Sequence, residues 1–234
     1  MPLKCALCNF TGALAHHYKA QHNLTCTKCK KAFDGWRVLH QHFPTCWMSP
    51  LKRDDPLTAV TSEGKPLFYK KMASTGEPLI VWYIGWCPLS NFHVAPFTVN
   101  GYTYKTVEHF YQAEKALFFQ DFDTYNKILL TWSPRSVKEL GLQIKNYSEK
   151  EWLDICDVVM EVAVKEKVKQ NEFVKQALLA TGAAKLGEAT PHDRFWGIGL
   201  SVDEPDLLKL EAWGENRLGK LLMKIRQELT ECPA

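Results

Sequence analysis

Asn100-Gly101 is the pair of residues that most restricts how this chain folds. A two-residue turn of type I′ needs positive φ at both central positions, and Asn followed by Gly accepts that conformation at the least cost. With Phe97-Thr98-Val99 before it and Tyr102-Thr103-Tyr104 after it, the pair predicts a hairpin. Thr106 follows as a predicted N-cap, and Val107, Phe110 and Leu117 recur at the spacing of a helix with one face in a core. On that helix Glu108, Tyr111, Gln112 and Lys115 fall at i, i+3, i+4 and i+7. A carboxylate, a phenol, an amide and an amine therefore share one stripe, which could line a polar pocket. Glu108 sits in the first turn, where the helix dipole favours its charged form and burial would disfavour it. First-turn acids also occur for capping alone, without chemistry.

The rest of the C-terminal part carries equally local signals. Ile80-Val81-Trp82-Tyr83-Ile84 reads as a buried strand, and Gly85-Trp86-Cys87-Pro88-Leu89-Ser90-Asn91-Phe92 as the loop after it. Phe122, Tyr125, Ile128 and Leu129 share a helical face. Ser133-Pro134 opens a helix ended by Gly141, and Ser148 with Glu151 forms a capping box ahead of Trp152, Ile155, Val159 and Val162. Asn171 begins a further helix that stops at Gly182. A short run, 185–189, leads into Thr190-Pro191-His192-Asp193-Arg194-Phe195-Trp196-Gly197-Ile198-Gly199, whose composition suits a loop. An indole beside a carboxylate can hold a base or sugar; a loop Trp can also simply plug a core. Asn216 is placed to cap a last helix with Leu218, Leu221, Leu222, Ile225 and Leu229 on its apolar face. Gly219 in its first turn admits either a phosphate or a close-packed backbone.

The N-terminal part is a different kind of sequence. Five of the eight cysteines crowd residues 1–46, four of them in two Cys-x2-Cys pairs with His nearby, which favours metal ligation over a disulfide framework. Cys26, Cys29, His42 and Cys46 have twelve residues between the second Cys and the His and three between the His and the last Cys, with Phe33 and Leu39 as a miniature core. This is the spacing of a C2H2-type zinc finger with Cys as fourth ligand. Cys5, Cys8, His17 and His22 form a second, shortened version, in which His16 competes with His17. Two structural Zn2+ ions are expected, since pieces this small need a staple to fold. Such fingers read nucleic acid or bind protein; residues 1–50 hold six Lys or Arg against one acid, which favours DNA or RNA as the expected partner of this segment. Residues 48–76, broken by Ser49-Pro50, Gly64-Lys65-Pro66 and Thr75-Gly76, read as a linker or loose lead-in, with Leu67-Phe68-Tyr69 as a short strand in it.

The whole chain, 234 residues with net charge +3 and 46% hydrophobic, suits one substantial domain plus a small one and excludes a polycation. No apolar run reaches the roughly 18–20 residues that span a bilayer, and the first residues lack a signal-peptide core. An intracellular protein, nuclear or cytoplasmic and without a membrane partner, is expected. Cys87, Cys156 and Cys232 read as buried or idle thiols rather than nucleophiles.

Four blocks together carry a resemblance: Leu89-Ser90-Asn91-Phe92; Thr106-Val107-Glu108-His109-Phe110-Tyr111-Gln112-Ala113 with Lys115; Asp193-x-Phe195-Trp196-Gly197-Ile198-Gly199; and Gly214-x-Asn216-x-Leu218-Gly219-Lys220 with Leu222-Met223-x-Ile225-Arg226. In order and spacing they resemble the NADAR, or YbiA-like, family. The resemblance implies an α+β domain, mostly helical with a small sheet, over residues 77–230, preceded here by two zinc-stapled fingers in residues 1–47. It implies N-glycosidase chemistry, some members acting on phosphoribosylated riboflavin-pathway intermediates and others removing ADP-ribose from guanine in nucleic acid. Breaking a ribose C1–N bond builds positive charge on the sugar, which calls for a carboxylate and a second acid or base. Glu108 and then Asp193 are the expected carboxylates. Lys115 is expected as a cation for phosphate or an amine that attacks an opened ribose aldehyde. Asn91 and Gln112 are expected at ribose hydroxyls and Trp196 at a base or sugar, with Phe92, Tyr111, Gly197, Asn216 and Gly219 completing the substrate-binding set. The basic N-terminal segment favours ADP-ribosylated nucleic acid as the substrate. The alternatives are a riboflavin-pathway intermediate as substrate, or a non-catalytic module that binds ADP-ribose or nucleic acid.

Overall fold

The structure is a computed structural model, and it describes residues 56–58, 60, 64–83 and 85–231. The expected zinc ligands Cys5, Cys8, His17, His22, Cys26, Cys29, His42 and Cys46, and Cys232 with them, lie outside the described residues. Within them the fold is α+β, with seven helices and two small sheets. The first sheet has three strands in the order β1 (Tyr69–Met72), β2 (Pro78–Trp82) and β5 (Lys185–Glu188). β1 pairs with β2 antiparallel and β2 with β5 parallel, so that Trp82 lies opposite Glu188 where both parallel strands end. Leu67 and Phe68 are buried and β1 belongs to the sheet, which places this end of the 48–76 lead-in within the fold.

The hairpin at Asn100-Gly101 forms as β3 (Phe97–Val99) and β4 (Tyr102–Tyr104), with φ of 49° and 82° at the two turn residues. Its register is Phe97 with Tyr104, and these two rings close with Phe110 into an aromatic cluster. The hairpin thus docks on helix α1 (Val107–Phe118), whose N-cap Thr106 accepts the His109 amide. Val107, Phe110, Ala113 and Ala116 bury the inner face of α1, and a fully buried Val or Phe contributes roughly 1.5–3 kcal/mol.

Helices α2 (Phe122–Leu130) and α3 (Pro134–Gly141) pack beside α1; Ile128 and Val137 turn inward while Phe122 stays 59% exposed. Ser148 caps the short α4 (Glu149–Leu153) by accepting the Glu151 amide. The helical run predicted beyond it breaks at Asp154 and Ile155 and restarts as α5 (Cys156–Gln170). α6 (Glu172–Ala180) follows Asn171, and α7 (Arg217–Glu231) closes the fold against β5 and α6. Among the described residues no helix is long and apolar enough to cross a membrane.

Candidate active site

The first wall of the site is the polar stripe of α1. The Glu108 side chain is 7% exposed, and its Oε1 accepts a hydrogen bond from Gln112 Nε2 at 3.0 Å, one helical turn on. Burial raises its pKa above the usual carboxylate range; the Gln112 bond and the charges of Lys138 and Lys115 pull it down, and the charge of Asp193 pushes it up. Gln112 fills the space over Gly141, where any added Cβ would collide with its amide. Lys115 donates to the Gly141 carbonyl at 3.1 Å and sits 3.9 Å over the Tyr147 ring. Desolvation lowers the Lys115 pKa, and the charge of Glu108 opposes that. Tyr111 accepts a 2.8 Å bond from Trp152 Nε1 and meets the ring of Trp196 edge-on at 5.7 Å.

The second wall comes from the loop after β5. Asp193 Oδ1 accepts the amides of Phe195 at 3.1 Å and Trp196 at 2.8 Å, a turn that carries the indole toward Tyr111. Gly197 is wedged between two main-chain oxygens: an added Cβ would lie 2.8 Å from the Glu188 oxygen and 2.9 Å from that of Asp193. The Phe195, Trp196 and Gly197 carbonyls accept the amides of Arg217, Leu218 and Asn216, which ties the loop to the start of α7.

The remaining expected residues fall in this frame. The Asn91 carbonyl accepts the Glu108 amide at 3.1 Å, which joins the 89–92 segment to the first turn of α1. Phe92 is half-buried, and a Cβ added at Gly85 would lie 3.0 Å from its Cβ. Asn216, at φ 51°, gives its carbonyl to the Lys220 amide as a cap does, while its Nδ2 donates to the Leu186 carbonyl at 2.8 Å. Gly219 backs onto that same carbonyl, the close-packing option rather than an open phosphate cradle. Glu108, Tyr111, Gln112, Lys115, Asn91, Asp193 and Trp196 are thus gathered, and Gly197, Asn216 and Gly219 brace the frame behind them.

Residues 67–230 match the model of the NADAR domain. The chain belongs to the NADAR family. It is 35% identical over 140 residues to N-glycosidase YbiA of Escherichia coli, covering 60% of this chain and 79% of that protein. An N-glycosidase of Acanthamoeba polyphaga mimivirus is 36% identical over 127 residues, 53% of this chain and 74% of the relative. A riboflavin biosynthesis protein of Vibrio vulnificus is 34% identical over 143 residues, 61% of this chain, which spans only 35% of that protein's length. The NMR structure of Escherichia coli YbiA superposes with a TM-score of 0.54 at 32% identity, covering 65% of this chain and 85% of that one.

Two polar residues of this NADAR domain escaped sequence reasoning. Glu188, the last residue of β5, accepts from Ser90 Oγ at 3.2 Å and Trp82 Nε1 at 3.3 Å. Burial above all lifts its carboxyl to about 7; its two hydrogen bonds resist this, while the charges of Asp193 and Glu108 add to it. Lys167 lies 2% exposed on the inner face of α5, brought down by desolvation to about 7, with its ammonium on the Ser90 carbonyl at 2.8 Å. Both left a signal. Glu188 ends a short run just before the Asp193 loop, and ligands gather at the C-terminal ends of parallel strands. Lys167 continues the apolar spacing of Met160, Ala163 and Val164 as a charge in a core position. Cys87 and Cys156 are buried free thiols whose pKa burial raises, so neither is a ready nucleophile. An open hollow of about 440 Å³ lined by Gly182, Met223, Lys224, Arg226, Gln227 and Thr230 lies along the C-terminal half of α7 and includes none of the site carboxylates.

Proposed function

We propose that this NADAR protein is an N-glycosidase that breaks the bond between ribose C1 and a base nitrogen, and that its substrate is ADP-ribose attached to guanine in nucleic acid. The observation that carries the proposal is the placement of Glu108: a buried carboxylate pinned by Gln112, within the field of Asp193, on the helix whose Tyr111 touches Trp196. As the C1–N bond breaks, the electron pair leaves with the base nitrogen, which takes a proton, and the sugar becomes cationic until the oxygen of water joins C1. Glu108 in its anionic form stabilises that cation at short range in a site of low dielectric. Asp193 is the second carboxylate for proton transfer. Trp196 offers a ring face to base or sugar, and Asn91 and Gln112 offer amides to the ribose hydroxyls. Lys115 supplies a cation near the site or, with its pKa lowered, an amine for an opened sugar aldehyde.

The polymer as substrate is supported by the Cys and His spacing and basic balance of residues 1–50, which fit Zn2+-held fingers that concentrate the enzyme on DNA or RNA. A riboflavin-pathway intermediate is the second candidate, favoured by the name of the Vibrio vulnificus relative. Zinc-loaded full-length protein is expected to release free ADP-ribose from guanine-modified DNA or RNA, and Glu108→Gln to abolish release. Turnover of a phosphoribosylated riboflavin intermediate alone would transfer the proposal to the second candidate. Tight binding of ADP-ribose without turnover, unchanged by Glu108→Gln, would leave a binding module and end the enzymatic proposal.

A further inference from the structure

Two ionisable side chains near the site, the buried Lys167 and the part-buried Glu188, are left idle by the proposed chemistry. Lys167 projects from α5 into the loop that follows β2, and its ammonium donates to the Ser90 carbonyl at 2.8 Å. From the sheet side, Glu188 Oε1 accepts the Ser90 hydroxyl at 3.2 Å and the Trp82 indole N–H at 3.3 Å. Ser90 Oγ also accepts the Phe92 amide at 3.2 Å. Ser90 is therefore gripped by both of its oxygens, each by an ionisable side chain from a distant part of the sequence. Charge-assisted bonds of this kind are the strong ones, and a buried charge whose partner is deleted is costly. The charge of Glu188 in turn helps to keep the Lys167 ammonium protonated.

The residue next to Ser90 is Asn91, which meets the site directly. Its carbonyl accepts the Glu108 amide at 3.1 Å, and its Nδ2 donates to Met160 Sδ at 3.5 Å. Met160 and Lys167 are seven residues apart on one face of α5, so a single helix face holds two consecutive residues of the loop. Asn91 Oδ1 is buried and has no partner among the described residues. A buried acceptor left unpaired is a liability that a ligand hydroxyl would remove.

We propose that Lys167 and Glu188 are positioning residues: they clamp Ser90 by its carbonyl and its hydroxyl, and so hold Asn91 with Oδ1 free to accept a sugar hydroxyl beside Glu108. This rests on the N-glycosidase proposal above. A clamp that acts through Asn91 has a signature that a merely structural lysine lacks, because its effect disappears once Asn91 is gone. The experiment is a double-mutant cycle in kcat/KM with the zinc-loaded full chain and guanine-linked ADP-ribose, using Lys167→Met, Asn91→Ala and the pair together. Lys167→Met is expected to lose about tenfold or more, and the double variant to stay within about threefold of Asn91→Ala alone. Losses that multiply, or a Lys167→Met variant within about twofold of the parent, overturn the clamp. Should Lys167→Met not fold, Ser90→Ala, which deletes only the hydroxyl that Glu188 holds, takes its place in the cycle with the same criteria. A second readout needs no turnover: Lys167→Met should shift the amide resonances of Glu108 and Asn91 in nuclear magnetic resonance and leave those of Thr181 and Arg226 in place. If the parent protein releases no ADP-ribose, the glycosidase proposal fails by itself. Unmoved Glu108 and Asn91 resonances would then still count against the clamp.

Discussion

On α1 the groups Glu108, Gln112 and Lys115 stand one helical turn apart, and the helix that spaces them is held by its own core face and its Thr106 cap. Across from them, Glu188, Asp193 and Trp196 arrive from a strand end and a loop. That loop is fixed by main-chain bonds such as Ile198 N to Glu188 O at 2.9 Å and Glu215 N to Arg194 O at 2.6 Å. At Glu108 the helical wall separates chemistry from folding, because this carboxylate bonds within its own helix, to Gln112, and burial disfavours its charge. The loop wall does not, since the backbone that aims the side chains is also the backbone that packs. Substitution of Glu108 should therefore change rate without lowering stability, and substitutions across the site should change both.

The largest test of that difference is Glu108→Gln. The amide keeps the shape and still meets Gln112, but it cannot balance a cationic sugar, so kcat should fall by about a thousandfold. Burial disfavours the charge of Glu108 in the folded protein, so its removal should leave the melting temperature unchanged or raise it. A variant that loses activity only in proportion to lost folded protein would erase the distinction between the walls.

On the loop wall the corresponding test is the pH dependence of Glu188→Gln. The Glu188 carboxyl is held at about 7, above its ordinary value of 4.5, chiefly by burial. The folded state thus binds this proton more tightly than the unfolded chain does. Its stabilisation is fully present below about 4.5 and is lost as pH rises through about 7. A shift of this size corresponds to on the order of 3 kcal/mol. The melting temperature of the parent minus that of Glu188→Gln should accordingly decline between these two pH values, and a difference that stays flat or rises would refute the assignment.

How far each wall was legible in the sequence follows the same division. The hairpin at Asn100-Gly101, the Thr106 cap and the Glu108-to-Lys115 stripe are products of local chemistry and helical period, and the coordinates reproduce them. The helices opened by Ser133-Pro134 and by Asn171 were legible for the same reason. β5 was not: Lys185-Leu186-Gly187-Glu188 has no β-branched residue and becomes a strand only because β2 lies beside it. The strand predicted over 80–84 is shifted two residues toward the N-terminus, with Tyr83 53% exposed, since its limits are set by what it pairs with. Glu188 and Lys167 remained hidden because their partner, Ser90, is about 100 and 77 residues away in sequence, a proximity only the topology creates.

Gly197→Ala probes the loop backbone itself. Its new methyl group would press on the Glu188 and Asp193 main-chain oxygens, neither of which can rotate aside as a side chain end would. Stability should fall by ~1–3 kcal/mol, the usual cost of overpacking, and kcat should fall with it because the Asp193 turn must shift. Denaturant unfolding alongside steady-state kinetics checks the pairing. Full activity in a destabilised variant would mean that Asp193 and Trp196 tolerate movement, and the contrast between the walls would weaken.

The smallest expected effect belongs to the outer edge of the same wall, where Arg217 lies 4.0 Å over the Phe195 ring and pairs with Asp157 at 2.7 Å and Glu215 at 2.8 Å. Both acids are largely exposed, so the ion pairs contribute little, and the cation over the ring adds about 0.5–1 kcal/mol at such a site. Arg217→Met keeps the aliphatic stem and removes the charge, so it should cost under about 1 kcal/mol at low salt and less at high salt, where exposed pairs are screened. Because Phe195 packs edge-on against Trp196 at 5.2 Å, a slight loosening should raise KM by about twofold and leave kcat alone, as loss of uniform binding does. A fall in kcat of tenfold or more would place Arg217 against the reacting sugar or its phosphates instead, and would make the loop wall a chemical participant out to its edge.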